Sequence, residues 1–430
     1  MLRLVYILVT YLLLPVVLAM LLWRSIGNPS YRAHLGERLG LGPFVDGPHG
    51  SLWLHAVSVG EVQAAAPLVV ALRERHPDLP VVLTTVTPTG RARAEALLGD
   101  SVNVRYAPYD LAGAVARFFD RARPRMAIIL ETEIWPNLYR ECGVRRVPLV
   151  LASARISTRS LNKYRRLVPL FRETLSHGIV IAAQSEADAG RFRSLGAPAE
   201  RTHVVGNIKF DFRLPAQTVD SGRAFRERHA ALRPVWIAAS THAGEEEIVL
   251  DAHKRVLEHC PEALLFLVPR HPERFDAVAA LVQRAGFAYT RRSRGGKLED
   301  RHAVFLVDTL GELPNFYAAS DVAFVAGSLM PVGGHNLLEP AALGLPVLVG
   351  PHTFNSEEIA TMFAEAGASR VVEDAEGLAA AVVDLFGDAA ARRRMGGTGT
   401  ALIERNRGTV ERLLTLVEPL LEDRPGGPGG

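Results

Sequence analysis

Cysteine is scarce in this chain of 430 residues, which contains only Cys142 and Cys260. Both lie in apolar or helical surroundings, and neither has the spacing of a metal site. We therefore expect two reduced, structural thiols in a protein of the cytosolic compartment.

An excess of charge of either sign is also missing. The sequence has 49 Lys and Arg against 46 Asp and Glu, which is a formal net charge of +3. This balance gives no general electrostatic support for binding nucleic acid. The length is sufficient for about two domains with a sizeable core.

Three common ligand-binding motifs are absent from the sequence. It has no Gly-x-Gly-x-x-Gly and no Walker loop, which argues against dehydrogenases and P-loop enzymes. It also has no Asp-x-Asp motif, and Glu131-Thr-Glu133 is the segment most similar to that motif. A diphosphate bridged by a metal ion is therefore not favoured.

The N-terminal segment is long and apolar. Leu4 to Trp23 carries no charge and is long enough to cross a bilayer as a helix. Pro15 interrupts it, which membrane helices tolerate, and it lacks the short core and cleavage site of a signal peptide. Arginines follow it closely, so residues 1–25 are predicted to be a membrane anchor with the globular part on the cytoplasmic side. A helix lying in the interface is the alternative.

Apolar strand-like runs alternate with amphipathic stretches along the rest of the chain, which is the pattern of an α/β fold. A polar, proline-containing segment from Leu214 to Arg233 divides the alternation into two series. We predict two doubly wound, Rossmann-like domains facing a cleft, at residues 26–213 and 214–423. Residues 424–430 are predicted to be a disordered tail.

The most informative stretch runs from Gly327 to Asn355, where a buried strand leads into a glycine loop and a short helix. Gly333 and Gly334 form the loop and His335-Asn336 follows, which places free backbone N–H groups where a phosphate is stabilised. Glu339 lies one turn later, where its carboxylate can accept hydrogen bonds from a ribose diol. This pattern favours a nucleotide site over an ordinary turn with a capping Asn.

Two other strand ends of the second series carry polar residues. Ser240-Thr241-His242 follows one strand, and Arg270 follows the next. Arg270 is a candidate clamp for a phosphate or a carboxylate. For Glu245, Glu246 and Glu247 we expect only a complement to the helix dipole on a solvated face.

The first series presents carboxylates at two strand ends. Glu61 follows Ser58 at a strand-to-helix junction, where burial would raise its pKa towards that of a general base. The alternative is a first-turn Glu stabilised by the helix dipole. Glu131 and Glu133 end another strand beside Trp135, and we expect cationic partners or substrate hydroxyls for them because unpaired burial is costly.

Two further segments are candidates for contact with a substrate. Thr87 opens a turn that can hold a sugar or phosphate, or can merely cap a helix. The sequence from Arg155 to Arg172 is basic, with Lys163 within it and apolar residues interleaved. This pattern is typical of contact with an anionic surface or a phosphorylated lipid, and equally of a solvated helix face.

Eight motifs follow one another along the chain in an order known from one family. They are HAVSVGE (55–61), TPTG (87–90), ETEIWPN (131–137), AQSEAD (183–188), GNIKFD (206–211), AASTHAGEEE (238–247), VPRHPERF (268–275) and GGHNLLEPAALGLPVLVGPHTFN (333–355). In these motifs the sequence resembles the 3-deoxy-D-manno-octulosonic acid (Kdo) transferases of lipid A assembly, which have a GT-B glycosyltransferase fold. The resemblance covers nearly the whole chain, including the N-terminal anchor.

The resemblance implies transfer of Kdo from CMP-Kdo to the 6′-hydroxyl of a lipid A precursor (lipid IVA) in lipopolysaccharide biosynthesis. It implies inversion at the anomeric carbon, no metal and no cofactor, with Glu61 as the general base. It also implies a location at the bacterial inner membrane, with the catalytic domains on the cytoplasmic face. The implied partners are the donor, the lipid acceptor and the membrane, and no nucleic acid is among them.

The resemblance also assigns residues to the two substrates. Those implied for the donor are Thr241, His242, Arg270, Gly333, Gly334, His335, Asn336 and Glu339. Those implied for the acceptor or the cleft are Ser58, Thr87, Glu131, Glu133, Arg155, Lys163 and Lys209. Two alternatives are another GT-B enzyme that uses a UDP-sugar, and a membrane-tethered protein that binds lipid A without activity.

Overall fold

The computed structural model describes residues 2–43, 50–157, 160–161, 174, 178–295 and 298–422. Lys163 and the predicted tail at 424–430 therefore lie outside the described residues. The chain divides into two compact units. The first comprises Met1–Phe212 together with Asn406–Gly430, and the second comprises Arg213–Arg405.

The first unit is built on a parallel sheet. Its strands are β1 (Ser51–His55), β2 (Val81–Thr85), β3 (Asn103–Tyr106), β4 (Pro124–Leu130), β5 (Leu149–Ala154), β6 (Ile179–Ala183) and β7 (Thr202–Val204). They are arranged in the order β3-β2-β1-β4-β5-β6-β7. The inner strands are buried along their length, which explains why they appear in the sequence as continuous apolar runs.

Helices cover both faces of this sheet. The helices of the first unit that the structure describes are Leu2–Gly27, Leu35–Arg38, Val59–Arg75, Pro88–Leu98, Ala112–Ala122, Pro136–Val144, Glu186–Ser194 and Thr409–Glu422. Two separate apolar clusters result, one on each side of the sheet. This is the doubly wound arrangement predicted for the first series.

The second unit has the same architecture. Its strands are β8 (Val235–Thr241), β9 (Leu264–Pro269), β10 (Tyr289–Arg291), β11 (Val304–Leu306), β12 (Val322–Val325), β13 (Val347–Val349) and β14 (Ser369–Val371). They are parallel, in the order β10-β11-β9-β8-β12-β13-β14. The helices are Ala216–His229, Glu245–His259, Phe275–Arg284, Leu313–Ala318, Leu338–Ala342, Glu357–Glu365, Ala375–Gly387 and Ala389–Asn406.

The predicted linker is a folded part of the second unit. Within Leu214 to Arg233 the structure has the helix Ala216–His229. Gly222 on this helix lies so close to the helix Leu313–Ala318 that an added Cβ would be 2.2 Å from the Asn315 carbonyl oxygen. The segment is polar because most of its helix faces solvent, so polar composition and proline alone do not distinguish this helix from a linker.

The C-terminal helix Thr409–Glu422 packs on the first unit, which corrects the predicted second domain at 214–423. Its apolar face joins the core cluster of β1, β2 and β4, through Leu413, Leu414, Val417 and Leu421. The Asp211 carboxylate accepts hydrogen bonds from the Gly408 and Val410 N–H groups, the first at 2.7 Å. The sequence alone does not predict that this helix packs on the first unit, because the contacting residues lie about two hundred positions apart in the chain.

We expect Leu413→Ala to destabilise the first unit while sparing the second. Leu413 is fully buried, and Leu→Ala at such a site costs about 2–5 kcal/mol. Hydrogen exchange of peptides from each unit would separate the two effects. Thr415→Ala, on the exposed side of the same helix, should change neither, and equal deprotection of both units by Leu413→Ala would contradict this assignment.

The N-terminal helix is longer than the predicted apolar segment. It runs from Leu2 to Gly27 and continues through Pro15. Within the described residues it is the one helix that is long and apolar enough to cross a membrane, by length and composition alone. Twelve of its large apolar side chains are exposed, and they are Leu4, Val5, Leu8, Val9, Tyr11, Leu12, Leu13, Val16, Met20, Leu22, Trp23 and Ile26.

Candidate active site

The carboxyl-terminal edges of both sheets contain strained backbone. Glu131 after β4 (φ 58°), Ser153 in β5 (φ 51°) and Ser240 in β8 (φ 61°) are left-handed without being glycine. The register of β5 and β8 shifts at these serines. Each such residue costs about 1–3 kcal/mol, and such strain clusters at functional sites. The sequence contains no pattern that predicts left-handed backbone at these three residues.

Glu61 is held at the end of β1 by the first turn of the helix Val59–Arg75. Ser58 is the N-cap, and its Oγ accepts a hydrogen bond from the Glu61 N–H at 3.4 Å. The Glu61 carboxylate accepts from the Val57 N–H at 2.8 Å and from the Ser58 hydroxyl at 3.1 Å. Glu61 is therefore part of the N-terminal cap of this helix, in a variant of the capping box in which its carboxylate accepts the N–H of Val57 and not that of the N-cap Ser58.

The same carboxylate has a pKa that suits a general base. Burial raises the pKa of Glu61 from 4.5 to about 7, and the charges of Glu131 and Glu133 add to the rise. The hydrogen bonds from Val57 and Ser58 lower the pKa without offsetting the burial. A carboxylate that titrates near neutral pH can both take up and release a proton there, so capping and base chemistry coexist in one side chain.

Glu131 has the cationic partner that its burial requires. Lys209 Nζ lies 2.7 Å from Glu131 Oε1. The Lys209 N–H donates to Asn207 Oδ1, the Asn207 amide donates to Gln184 Oε1 at 3.0 Å, and the Gln184 amide donates to the Ser153 carbonyl at 2.9 Å. This chain of amides positions Lys209. Sequence reasoning missed it because its members are far apart along the chain.

Glu133 has an aromatic partner instead of a cation. The Trp135 indole N–H donates to Glu133 Oε2 at 2.8 Å, and burial raises the pKa of Glu133. The centroids of the His55 and Trp135 rings lie 5.1 Å apart, in an edge-to-face arrangement. Burial lowers the pKa of His55 to about 4, so this imidazole is neutral. Sequence reasoning does not single out His55, because a histidine in a buried strand resembles any other core residue.

The other described residues predicted for the acceptor, Thr87 and Arg155, make hydrogen bonds within the first unit. Thr87 is the N-cap of the helix Pro88–Leu98, and its Oγ1 accepts from the Gly90 N–H at 3.0 Å. Arg155 follows β5 and is half-buried, and its carbonyl accepts a hydrogen bond from the Thr132 hydroxyl. In the first unit the structure thus brings together Ser58 and Glu61, with Glu131, Glu133 and Lys209 near them.

In the second unit, the Glu245 side chain forms hydrogen bonds with the segments that follow β8 and β12. Its carboxylate is fully buried and accepts four backbone N–H groups. The donors are His242 (3.0 Å), Gly327 (2.8 Å), Ser328 (2.9 Å) and Leu329 (3.0 Å). The expectation of a solvated acidic turn is wrong for this residue, because its burial is compensated by hydrogen bonds that the sequence does not reveal.

Glu246 is fully buried as well, and it is the hydrogen-bond partner of the Thr241 hydroxyl. The Thr241 hydroxyl donates to Glu246 Oε1 at 3.0 Å, and Arg274 Nη2 donates to Glu246 Oε2 at 3.1 Å. Thr241 is thus a buried support of the strand end. Only Glu247, which is exposed, fits the predicted solvated face.

A cluster of three imidazoles and one arginine lies next to Thr241. His242 Nε2 and His335 Nε2 are 2.8 Å apart with stacked rings, and the His271 ring is 5.2 Å from that of His242. Burial lowers the pKa of His335 to about 4 and also lowers that of His242, with Arg270 contributing in both cases. Arg270 is exposed; its N–H donates to the Thr241 carbonyl at 3.0 Å, while its guanidinium has no hydrogen-bond or ion-pair partner among the described residues.

The glycine loop is closely packed over this cluster. Gly333 has φ 112°, and a Cβ there would be 2.5 Å from Asn355 Cγ and 2.6 Å from Phe354 Cε2. Asn336 lies one residue before Leu337, the N-cap of the helix Leu338–Ala342, and its Oδ1 accepts from the Leu338 N–H at 3.1 Å. Its amide donates to Glu339 Oε1 at 3.1 Å. Burial raises the pKa of Tyr317, and the charge of the nearby Glu339 adds to the rise.

The second unit thus brings His242, Arg270 and His335 together, with Gly333 and Gly334 beside His335. The neutral His242–His335 pair has one imidazole N–H that is not used between the rings, and the Arg270 guanidinium is free, which suits an anion. In the described part of the chain, no three His, Cys, Asp or Glu side chains form a group that could hold a metal ion.

Comparison with known proteins identifies the family. Residues 33–212 match a family model described as 3-deoxy-D-manno-octulosonic-acid transferase (kdotransferase). The 3-deoxy-D-manno-octulosonic acid transferase of Haemophilus influenzae is 42% identical over 95% of this chain and 96% of its own. That of Bordetella pertussis is 41% identical over 86% of this chain and 87% of its own.

Solved structures agree on the fold. The UDP-GlcNAc 2-epimerase from Neisseria meningitidis, bound to UDP-GlcNAc, aligns with a TM-score of 0.58. The alignment covers 87% of this chain and all of that one at 16% identity, a level that supports the fold alone. Two parallel seven-stranded sheets with flanking helices make this a GT-B type fold, as predicted. The chain belongs to the family of the 3-deoxy-D-manno-octulosonic acid (Kdo) transferases.

Proposed function

We propose that the protein transfers Kdo from CMP-Kdo to the 6′-hydroxyl of a tetra-acylated lipid A precursor, with inversion and without a metal ion. The observation that carries the proposal is Glu61, a carboxylate with a pKa of about 7 at the end of β1. Such a group can deprotonate a sugar hydroxyl at neutral pH, which is the step that an inverting transferase requires.

In the proposed step, Glu61 accepts the proton of the acceptor hydroxyl as its oxygen attacks the anomeric carbon of Kdo. The bond between that carbon and the CMP phosphate oxygen breaks, and CMP leaves with the electron pair. The developing phosphate charge needs fixed donors. Arg270 and the one imidazole N–H of the His242–His335 pair that is not used between the two rings supply them in this scheme.

We assign the donor to the second unit. Glu339 and Asn336, which are already linked to each other, bind the ribose, and Gly333 and Gly334 allow the backbone to approach the nucleotide. Thr241 supports this site from beneath rather than touching the ligand, because its hydroxyl is committed to Glu246.

Gly333→Ala tests the donor assignment. The added methyl group would overlap Asn355 and Phe354 in a backbone conformation that disfavours alanine. We expect the Kd for CMP to rise at least about tenfold, or 1.4 kcal/mol, in titration calorimetry. Gly397→Ala, on a helix with open space around it, should bind CMP like the parent, and equal affinities of all three proteins would contradict the assignment.

We assign the acceptor to the first unit. Ser58 fixes the base, and Glu131, Glu133 and Lys209 are placed near it to contact sugar hydroxyls. Thr87, Arg155 and Lys163 are proposed to approach the phosphates of the lipid, with Lys163 outside the described residues. The apolar N-terminal helix fits attachment at the bacterial inner membrane, with both units on the cytoplasmic face.

The test is incubation of the detergent-solubilised protein with a tetra-acylated lipid A precursor and fresh CMP-Kdo, with EDTA present. Mass spectrometry should detect addition of at least one Kdo. Turnover of UDP-sugars in place of CMP-Kdo would replace the proposal by another GT-B reaction. Binding of the lipid without any product from either donor would indicate a binding protein.

A further inference from the structure

The N-terminal helix Leu2–Gly27 has an inner face that runs its whole length. Side chains at intervals of three or four positions are at least half-buried, and these are Tyr6, Thr10, Leu14, Leu18, Leu21 and Ser25. At this interval the six side chains lie along one side of the α-helix, and hydrogen bonds of Tyr6 and Tyr11 hold the helix on the first unit. The helix therefore does not project away from the first unit.

Two hydrogen bonds attach the first half of the helix to the folded core. The Tyr6 hydroxyl donates to Asp110 Oδ2 at 2.7 Å, and the Gly113 N–H donates to the Tyr11 hydroxyl at 3.1 Å. Asp110 also accepts from the Asn137 and Leu138 N–H groups at 3.0 and 2.9 Å, where it caps the helix Pro136–Val144. The attachment point is thus a structural part of the first unit.

These contacts conflict with an upright crossing of a bilayer. Tyr6 and Arg24 are 18 positions apart, which is about 27 Å along a helix and close to the thickness of the hydrocarbon core, about 30 Å. If Arg24 lay at the cytoplasmic surface, Tyr6 would lie near the opposite one. Asp110 and the charged helix Ala112–Ala122 would then have to enter the lipid, which is very unfavourable.

The outer face of the same helix is apolar and unpartnered among the described residues. Leu4, Leu8, Leu12 and Val16 form a stripe with exposures of 73%, 70%, 73% and 61%, and Trp23 and Ile26 lie at its end with 71% and 82%. An exposed apolar stripe of this length fits acyl chains, and Arg24 beside Trp23 fits anionic head groups.

We propose that this helix lies in the plane of the bilayer, as an edge of the first unit, and does not cross it. The outer stripe contacts the acyl chains of one leaflet, while the inner face stays on the protein. This inference specifies the membrane attachment proposed above and is independent of the transfer chemistry. It favours the interfacial alternative over the spanning helix that the sequence favoured.

Depth measurements on the full chain test the proposal. Single cysteines at Leu4, Leu12 and Ile26 would carry an NBD fluorophore, in a Cys260→Ser background because Cys142 is fully buried. In vesicles of phosphatidylethanolamine and phosphatidylglycerol, nitroxides at known depths would quench each label. We expect all three sites to report one shallow depth, and a label at Leu14, on the inner face, to be quenched at least several-fold less.

Two results would overturn the proposal, and neither depends on activity. A label at Leu12 quenched from the bilayer centre, with Leu4 and Ile26 reduced by dithionite from opposite sides, would establish a spanning helix. Labels at all outer sites that are protected from lipid quenchers, in a protein that is dimeric by light scattering, would assign the stripe to a second copy.

Discussion

Replacing Glu61 by Gln is expected to lower kcat about 10²- to 10⁴-fold, the usual contribution of a positioned base. The amide cannot accept the proton of the acceptor hydroxyl, but it retains the shape of the side chain and one oxygen for the Val57 N–H. Kd for CMP should stay near that of the parent, because the nucleotide is assigned to the other unit. Initial rates with CMP-Kdo and the lipid precursor would measure the loss.

The pH dependence gives this prediction a second test. The active form of Glu61 is ionised, so with a pKa of about 7 the parent rate should fall about tenfold per pH unit below neutrality. Burial makes the folded-state pKa higher than that of the unfolded chain, so the parent loses stability as pH rises from about 4.5 to 7. The Gln variant lacks this ionisation, and its melting temperature at pH 8 should equal or exceed that of the parent.

Undiminished turnover by Glu61→Gln would remove the base assignment and leave only the capping role. A large fall in melting temperature at pH 8 would mean that the loss of activity reports misfolding. Ser58→Ala serves as the matched control for the cap. It removes the hydroxyl that accepts the Glu61 N–H and should reduce stability by about 1 kcal/mol while lowering kcat far less than Glu61→Gln.

Replacing Glu245 by Gln is expected to lower the unfolding free energy of the second unit by about 2–6 kcal/mol. Four backbone N–H groups converge on this carboxylate. The amide NH₂ of Gln would face two of them, and each buried donor left without a partner costs about 1–3 kcal/mol. Because His242 and the loop from Gly327 lose their common anchor, CMP binding should weaken as well.

The three consecutive glutamates supply the control for this experiment. Glu247→Gln changes the same charge by the same chemistry on the exposed side of the helix, and it should alter stability by less than about 0.5 kcal/mol. Urea unfolding followed by hydrogen exchange of the peptide around Gly327 would compare the variants. Equal stability of Glu245→Gln and Glu247→Gln would show that the four hydrogen bonds contribute nothing.

The fold could be predicted because its central strands are buried on both faces. Such strands leave continuous apolar runs in the sequence, of which Ile179–Ala183 and Val322–Val325 are examples. The edge strands β3, β7, β10 and β14 are short and partly polar, so they leave no such run. Periodicity also could not reveal that the helix Thr409–Glu422 returns to the first sheet.

The candidate site was predicted in part. Residue type and position at a strand end were enough to select Glu61, Arg270 and the Gly333–Gly334 loop as candidates, and their roles remain proposals. The sequence could not distinguish Glu245 from Glu247, because burial of a charge depends on donors from distant segments. For the same reason, the pairing of His242 with His335 appears only in the folded chain.

The return of the C-terminal helix to the first unit has a consequence for synthesis on the ribosome. Domains usually fold in the order in which they are made. Here the first sheet and most of its helices are translated early, yet the apolar surface that receives Leu413, Leu414, Val417 and Leu421 stays uncovered until residues 409–422 emerge. The second unit can complete its fold sooner. The nascent chain therefore carries an exposed apolar surface during about two hundred residues of translation, and it is expected to depend on chaperones during that interval.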